Sequence, residues 1–392
     1  MTKRDRAATA GAVMILGCAQ ACGSSGPQQP PLTGAVSVSV SSTHACAVMA
    51  DGTAACWGSD AAGELGDGQM GNDVPYPVKV MGLTGVQAVT AGNLHSCGLM
   101  ADGSVTCWGE NFDCQVGYCQ PVDPVLSPTT VPGLSAPALA IQASGLLSDS
   151  PGFTCALLTG GTITCWGENA LGLNPDGTVA AIPPTAVGGV TGAIALAIGG
   201  TFGCDLQPAG TVECWGLGPL GQPGPNYSSA STTPVTVQGL SGARAIAAGW
   251  FHACALLNDG TVQCWGSNPS GQLGDGTHTD SPTPVAVSGV TSAVAISTTA
   301  YATCALLADG SLRCWGIDLS KPTPSPVSGV SSATSVSAAE LSICAVVGGG
   351  QIRCWGNDEY GQLGDGVFPP DSNGDLTSPP VAVIAGPPGM SH

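Results

Sequence analysis

Short apolar runs broken by polar turns, not long amphipathic stretches, set the character of this chain. Cys46-Ala47-Val48-Met49 and Thr53-Ala54-Ala55-Cys56 flank Ala50-Asp51-Gly52, which predicts a hairpin with a three-residue loop and glycine at its left-handed position. Such a loop pairs Met49 with Thr53, and three steps outward Cys46 stands directly opposite Cys56. The same Cys-x9-Cys-Trp-Gly hairpin returns at Cys97/Cys107-Trp108, Cys155/Cys165-Trp166, Cys204/Cys214-Trp215, Cys254/Cys264-Trp265, Cys304/Cys314-Trp315 and Cys344/Cys354-Trp355. Successive first cysteines lie 51, 58, 49, 50, 50 and 40 residues apart. That is the period of propeller blades and not of helical solenoids. The predicted fold is therefore all-β, a seven-bladed β-propeller in which each unit is one four-stranded blade.

Opposite cysteines on antiparallel strands at a non-hydrogen-bonded pair are close enough to bridge. Seven intra-blade disulfides are predicted: Cys46-Cys56, Cys97-Cys107, Cys155-Cys165, Cys204-Cys214, Cys254-Cys264, Cys304-Cys314 and Cys344-Cys354. Each closes a short loop and is expected to add about 2–3 kcal/mol in the chain-entropy view. Zinc sites favour two to four residues between neighbouring ligands, so the spacing of nine argues against metal. The tryptophan after each second cysteine points to the opposite face of its strand, where seven indoles are expected to fill the space between blades.

Most units open on a Pro-x-x-Val-like strand, as in Tyr76-Pro77-Val78-Lys79-Val80 and Thr283-Pro284-Val285-Ala286-Val287. The first unit lacks it, and Pro379-Pro380-Val381-Ala382-Val383-Ile384 at the far end supplies the missing piece. The ring is thus expected to close by pairing of N- and C-terminal strands in one blade, which removes free sheet edges.

The fifth unit runs Ala248-Gly249-Trp250-Phe251-His252-Ala253-Cys254-Ala255-Leu256-Leu257-Asn258-Asp259-Gly260 and later Cys264-Trp265-Gly266-Ser267-Asn268-Pro269-Ser270-Gly271-Gln272-Leu273-Gly274-Asp275-Gly276. It resembles the RCC1-like repeat family, whose blades carry a His-x-x-Ala-Leu strand, an Asp-Gly turn, a Trp-Gly pair and a Gly-Gln-Leu-Gly loop. The resemblance covers nearly all of residues 35 to 386 and implies a seven-bladed propeller; the cysteine pairs are additions to the family pattern. Units that depart from the pattern make one face uneven. The second loop has Cys114-Gln115-Val116-Gly117-Tyr118-Cys119, which suggests an extra disulfide, Cys114-Cys119. The sixth unit replaces the loop with Lys321-Pro322-Thr323-Pro324, and the fourth has Pro219-Leu220-Gly221-Gln222-Pro223-Gly224.

Composition agrees with a turn-rich β protein: 59 Gly, 31 Pro and only 9% charged residues. Lys3, Arg4 and Arg6 precede the apolar run Ala7 to Gly17, ending Ile15-Leu16-Gly17-Cys18, which reads as a signal peptide over residues 1–17. It resembles a bacterial lipoprotein signal, with Cys18 as lipidation site and Cys22 as alternative. Residues 18–34 follow as a flexible tether, and 387–392 form a C-terminal tail. No segment offers the ~20 uninterrupted apolar residues of a membrane span. With 18 cysteines, the expected location is the cell envelope outside the cytoplasm, lipid-anchored or simply secreted. Without Lys3, Arg4, Arg6 and Asp5 the rest of the chain holds 5 basic and 25 acidic residues, net −20. Such a surface repels nucleic acid and anionic membranes.

Chemistry is sparse. No P-loop, nucleophile elbow or paired-histidine zinc helix occurs. His44, His95 and His252 share one repeat position, where other units have Phe153, Phe202, Ala302 and Ser342; a structural hydrogen-bonding role fits better than a three-histidine metal site. Arg244, Arg313 and Arg353 do not occupy equivalent positions, which argues against a sialidase triad. Asp67, Asp275 and Asp365 sit in Gly-Asp-Gly loops and are expected to cap turns, with weak calcium binding as the alternative. The expected function is non-enzymatic: a monomeric binding module without cofactor or metal, recognising an unknown protein or glycan by its loop face, with Trp250, Phe251 and Tyr301 as binding residues. Inhibition of a secreted enzyme is one form of this reading. Membrane contact is expected only through a lipid anchor. Guanine-nucleotide exchange, which the family resemblance implies, and a structural envelope lipoprotein are the alternatives.

Overall fold

A computed structural model describes residues 29–119, 123–144, 152–168, 181–216, 231–316, 322–339, 341–368 and 378–386. The expected signal segment 1–17, the candidate lipidation sites Cys18 and Cys22, loop residues 219–224, Lys321 and the expected tail 387–392 lie outside the described residues. Seven antiparallel four-stranded sheets are arranged around a central channel. In the first, Ala35–Val40 lies innermost, followed outward by His44–Met49, Ala54–Gly58 and Val74–Lys79. The other inner strands are Val86–Ala91, Ala138–Ser144, Ala195–Ile198, Ala243–Ala248, Ala293–Thr298 and Ser335–Ala339. No helix among the described residues is long and apolar enough to cross a membrane.

The hairpin register follows from the turn. Met49 donates its N–H to the Thr53 carbonyl at 2.8 Å, and Cys46 pairs with Cys56. All seven hairpin disulfides form, with Cα atoms 4.0 to 4.1 Å apart. The loop bridge Cys114-Cys119 forms as well. Bridging at the close pair leaves both sulfurs on one face of the sheet and turns the adjacent tryptophan to the other.

That alternation builds the core. Trp108 of blade two packs on Cys46, Cys56 and Val48 of blade one, and Trp57 packs on Cys344, Cys354 and Ile352 of blade seven, so the ring closes through the same kind of contact. Each blade thus presents a disulfide to one neighbour and an indole to the other, and all seven indoles are fully buried. The indole N–H then reaches back across the junction. Trp108 donates to the Glu64 carbonyl at 2.7 Å, Trp166 to Gln115 at 2.9 Å, Trp315 to Gln272 at 2.8 Å and Trp57 to Gln362 at 2.9 Å. The carbonyl belongs to the Gly-Gln-Leu-Gly loop of the preceding blade, which explains the final glycine. Gly66 has φ +67°, and a Cβ there would lie 2.6 Å from the Trp108 Nε1.

The Pro-x-x-Val segments do not open blades as the sequence reading expected. Val74–Lys79 pairs with Ala54–Gly58 of its own unit, and Ser281–Ala286 pairs with Val262–Gly266. They are outermost fourth strands, where proline's missing N–H faces away from the ladder. Val381–Ala382 accordingly completes blade seven beside Gln351–Gly356. The chain ends still pair there. Pro31 bridges Ile384, Leu32 donates to the Val383 carbonyl and Ala385 to the Pro30 carbonyl, both at 2.8 Å. The closing N-terminal piece is thus the short segment around Pro31, which composition assigns to the tether, while the full strand Ala35–Val40 belongs to blade one.

Candidate functional site

The inner strands run beside the channel, and the loops that follow them share one mouth with the Gly-Gln-Leu-Gly loops. A cavity of about 240 Å³ opens there. Among the described residues its wall is built from hydroxyls, amides and mostly small apolar side chains, with no charged side chain. Neighbouring inner strands are tied by side chains that accept from the next strand's backbone. Ser39 receives the Ala91 N–H at 3.0 Å, Thr90 that of Ala143 at 2.8 Å, and Gln142 that of Ile198 at 2.9 Å. Ser297 receives Ala338 at 3.0 Å, and Ser337 receives Val40 at 3.2 Å.

Trp250, Phe251 and Tyr301 come together at this mouth. Trp250 and Phe251 meet edge to face with ring centres 5.9 Å apart, and Trp250 lies 6.3 Å from Tyr301 of the next blade. Trp250 also lines the cavity. Unlike the seven hairpin tryptophans it is only half-buried, and Tyr301 is 38% exposed. The side of the mouth formed by blades five and six is therefore aromatic, held on tight loops between the inner strand of each blade and the first strand of its disulfide-bridged hairpin.

The side formed by blades one and two is acidic. Burial, reinforced by neighbouring carboxylates, pushes Asp60, Glu64 and Glu110 up to about 7. Glu64 occupies the loop position filled by Gln115, Gln272 and Gln362 elsewhere, and its Oε2 accepts the Ala62 N–H at 2.7 Å as those amides accept theirs at 2.8 to 2.9 Å. Asp67, Asp275 and Asp365 each accept the N–H two residues on, at 2.9, 2.9 and 3.1 Å, and so cap turns. No group of three potential metal ligands occurs among the described residues.

The histidines stand one step below the mouth, between blades. His44 Nε2 lies 2.8 Å from Ser96 Oγ, His95 Nε2 2.7 Å from Thr154 Oγ1 and His252 Nε2 2.9 Å from Thr303 Oγ1. Ser96 and Thr303 donate to the carbonyls of Glu64 and Gln272, so each hydroxyl accepts from an Nε2–H. Burial drives His44 and His252 down to about 3 and His95 to about 4. They are neutral struts. Sequence reasoning gave them a structural role but missed the partners, although the signal is present: units with histidine are followed by a unit with Ser96, Thr154 or Thr303 before its first cysteine. Phe153, Phe202 and Ala302 are instead followed by Gly203, Ala253 and Ile343. The arginines do not converge: Arg244 Nη2 donates to the Ala293 carbonyl at 2.7 Å, at the strand ends away from this mouth, while Arg313 and Arg353 lie on third strands.

Comparisons with known proteins match this architecture. The Regulator of chromosome condensation (RCC1) repeat matches residues 35–64, 86–115 and 243–272, and a second form of it matches 51–99 and 259–306. The human probable E3 ubiquitin-protein ligase HERC6 is 32% identical over 137 residues, 34% of this chain. The match spans only 13% of that relative's length. Among solved structures, Prp20p from Saccharomyces cerevisiae, characterised for its binding to Gsp1p and histones, superposes with TM-score 0.70 at 21% identity, covering 91% of this chain and 87% of its own. Human WBSCR16 gives 0.63 at 19% identity over 77% of this chain and 84% of its own. At those identities the likeness concerns the fold, and together with the matched repeats it gives the conclusion that this chain carries RCC1 repeats and folds as a seven-bladed β-propeller.

Proposed function

We propose that the protein is a non-enzymatic recognition module that acts outside the cytoplasm and holds a protein or glycan on its loop face. The observation that carries this reading is the half-exposed cluster of Trp250, Phe251 and Tyr301 at the channel mouth. Tryptophan and tyrosine on a rigid support are the residues that dominate binding energy at interfaces. Among the described residues the cavity beside them is lined without a charged side chain, and the three buried histidines are committed to hydroxyl partners, which favours binding over acid–base chemistry. Eight disulfides are consistent with an extracytoplasmic location. Lipidation at Cys18 fits that location, with the propeller as a monomer held off the membrane by its tether. Blocking a secreted enzyme by covering its active site is one concrete form of the reading. An exchange-factor role like that of RCC1-type relatives fits this chain poorly, because a disulfide-rich chain suits a compartment away from cytosolic GTPases, and contact with DNA is opposed by its net charge of −18.

The test is cross-linking with affinity capture of envelope and culture-medium proteins by the oxidised protein, beside Trp250→Ala and Tyr301→Ala. A partner cross-linked near the channel mouth and lost in both variants supports the reading. Capture through the opposite face, or capture unchanged in both variants, refutes it.

A further inference from the structure

Blade four differs from the other six at one buried position. Asp205 stands where they place Ala47, Gly98, Ala156, Ala255, Ala305 and Ala345, each opposite the residue before the second cysteine. The residue is wholly buried. Strand alternation puts its side chain on the same face as Trp215, whose indole packs on Cys155 and Cys165 of blade three. Asp205 therefore carries a carboxyl group into the closed joint between blades three and four.

That group has few partners. Gln207 donates its side-chain amide to Oδ2, while Oδ1 meets no donor among the described residues. Directly across the hairpin stands Glu213, a second acid where blades six and seven have Arg313 and Arg353. The other elements packed here hold no acid or base: blade four's Ala195–Ile198 and Ser231–Thr236, blade three's Phe153–Leu158 and Ile163–Gly167, and the connection 187–193. Arg244 of blade five reaches the Ala293 carbonyl of blade six instead. Burial first, and the Glu213 charge after it, push the Asp205 carboxyl up to about 6, against the bond from Gln207. Protonated, it is a neutral group in an apolar joint. Ionised, it is a buried charge facing a like charge, which the joint can relieve only by admitting water.

The joint is also lightly fastened. Phe153 fills the histidine position, so no imidazole strut crosses it. Among the described residues it is crossed by the Trp215 packing, by two bonds at the channel mouth and by one at the turn end. Gln142 accepts the Ile198 N–H at 2.9 Å, Ser144 donates to the Gly199 carbonyl at 2.6 Å, and Ala193 donates to the Gly161 carbonyl at 3.1 Å.

We propose that Asp205 makes this joint a pH-sensitive latch, closed while its carboxyl is protonated and loosened when it ionises. In an opened joint the carboxyl meets water and titrates at its ordinary 3.8. The latch therefore contributes fully below pH 3.8 and is lost as pH rises through about 6. Between pH 5 and 7.5 these two values make opening about tenfold easier. The latch belongs to the ring itself and is independent of what the loop face holds.

Hydrogen exchange of the oxidised full chain, read as protection factors at intervals from pH 5 to 7.5, tests this. Amides of residues 195–206 and 153–158 are expected to lose protection about tenfold over that range. Thr303–Leu307 of blade six, with Ala305 at the matching position, is expected to keep its protection. Asp205→Asn retains the shape without the charge, and Asp205→Ala installs the residue found in blades one, three, five, six and seven; each is expected to abolish the loss. Glu213→Gln is expected to move the midpoint of loosening to lower pH. Equal protection of the wild-type joint at both ends of the range, an equal loss in blade six, or a loss that survives in both Asp205 variants overturns the proposal. So does a midpoint that stays in place or rises in Glu213→Gln.

Discussion

Substituting Ser96 by alanine removes the hydroxyl that joins His44 of blade one to blade two. The Glu64 carbonyl keeps its bond from Trp108 at 2.7 Å, so the loss falls on the His44 Nε2–H, which is left buried without an acceptor. An orphaned buried donor of this kind costs about 1–3 kcal/mol. His44→Phe alone removes the donor but leaves Ser96 without its strut, and is expected to cost about 1–2 kcal/mol. The double variant recreates the pair that joins blades four and five, Phe202 with Ala253, in which both partners are apolar and buried. It should therefore be less destabilised than the two single changes added together, by a coupling energy of about 1–2 kcal/mol. Guanidinium unfolding followed by tryptophan fluorescence measures all four forms. Additivity within about 0.5 kcal/mol, the scatter of independent sites, would show that the imidazole and hydroxyl are not energetically joined and that their matching along the chain has another origin.

Three further outcomes follow from the same geometry. Glu64 titrates near 7 in the folded protein against an ordinary value of 4.5, so the folded state keeps a proton that the unfolded chain has already released. Its contribution is complete below pH 4.5 and is lost as pH rises through about 7; Glu64→Gln should raise stability above pH 7 and flatten the dependence between those values, and an unchanged profile in pH-stepped melts refutes this. Trp57→Ala empties the junction between blades seven and one and removes the bond to the Gln362 carbonyl, with an expected loss of about 3–5 kcal/mol in the same unfolding assay. Deleting residues 381–392 removes the outer strand of blade seven and the Pro31 bridge, and should expose the seventh blade to limited proteolysis while blades three to five stay resistant.

The strongest parts of the fold could be read from the chain because they rest on local and repeated rules. A three-residue turn fixes the register of Cys46 against Cys56, and strand alternation then fixes where Trp57 points, with no knowledge of the rest of the molecule. The assignment of the Pro-x-x-Val strand was not local. A segment between two hairpins can pair with either, and only the ladder of Val74–Lys79 beside Ala54–Gly58 decides it. The aromatic cluster was half visible: Trp250 and Phe251 are neighbours in sequence, but their meeting with Tyr301 depends on how adjacent blades are spaced. The caps of the inner strands were hidden for a different reason. Ser39, Thr90 and Gln142 are three different residues, and their equivalence appears only once each is seen opposite a first cysteine.

Every disulfide in this ring joins residues ten positions apart, or five in the loop of blade two. Among sixteen paired half-cystines an enormous number of wrong matings exists, yet each correct partner lies at most ten residues away and is delivered by a turn that closes by itself, even where Cys114 stands nearer to Cys107 than Cys97 does. Oxidation can thus proceed blade by blade as the polypeptide emerges, without any cysteine waiting for a distant mate. The seven covalent hairpins that result are finished parts before the circle exists, and what remains for assembly is the stacking of indoles on sulfurs.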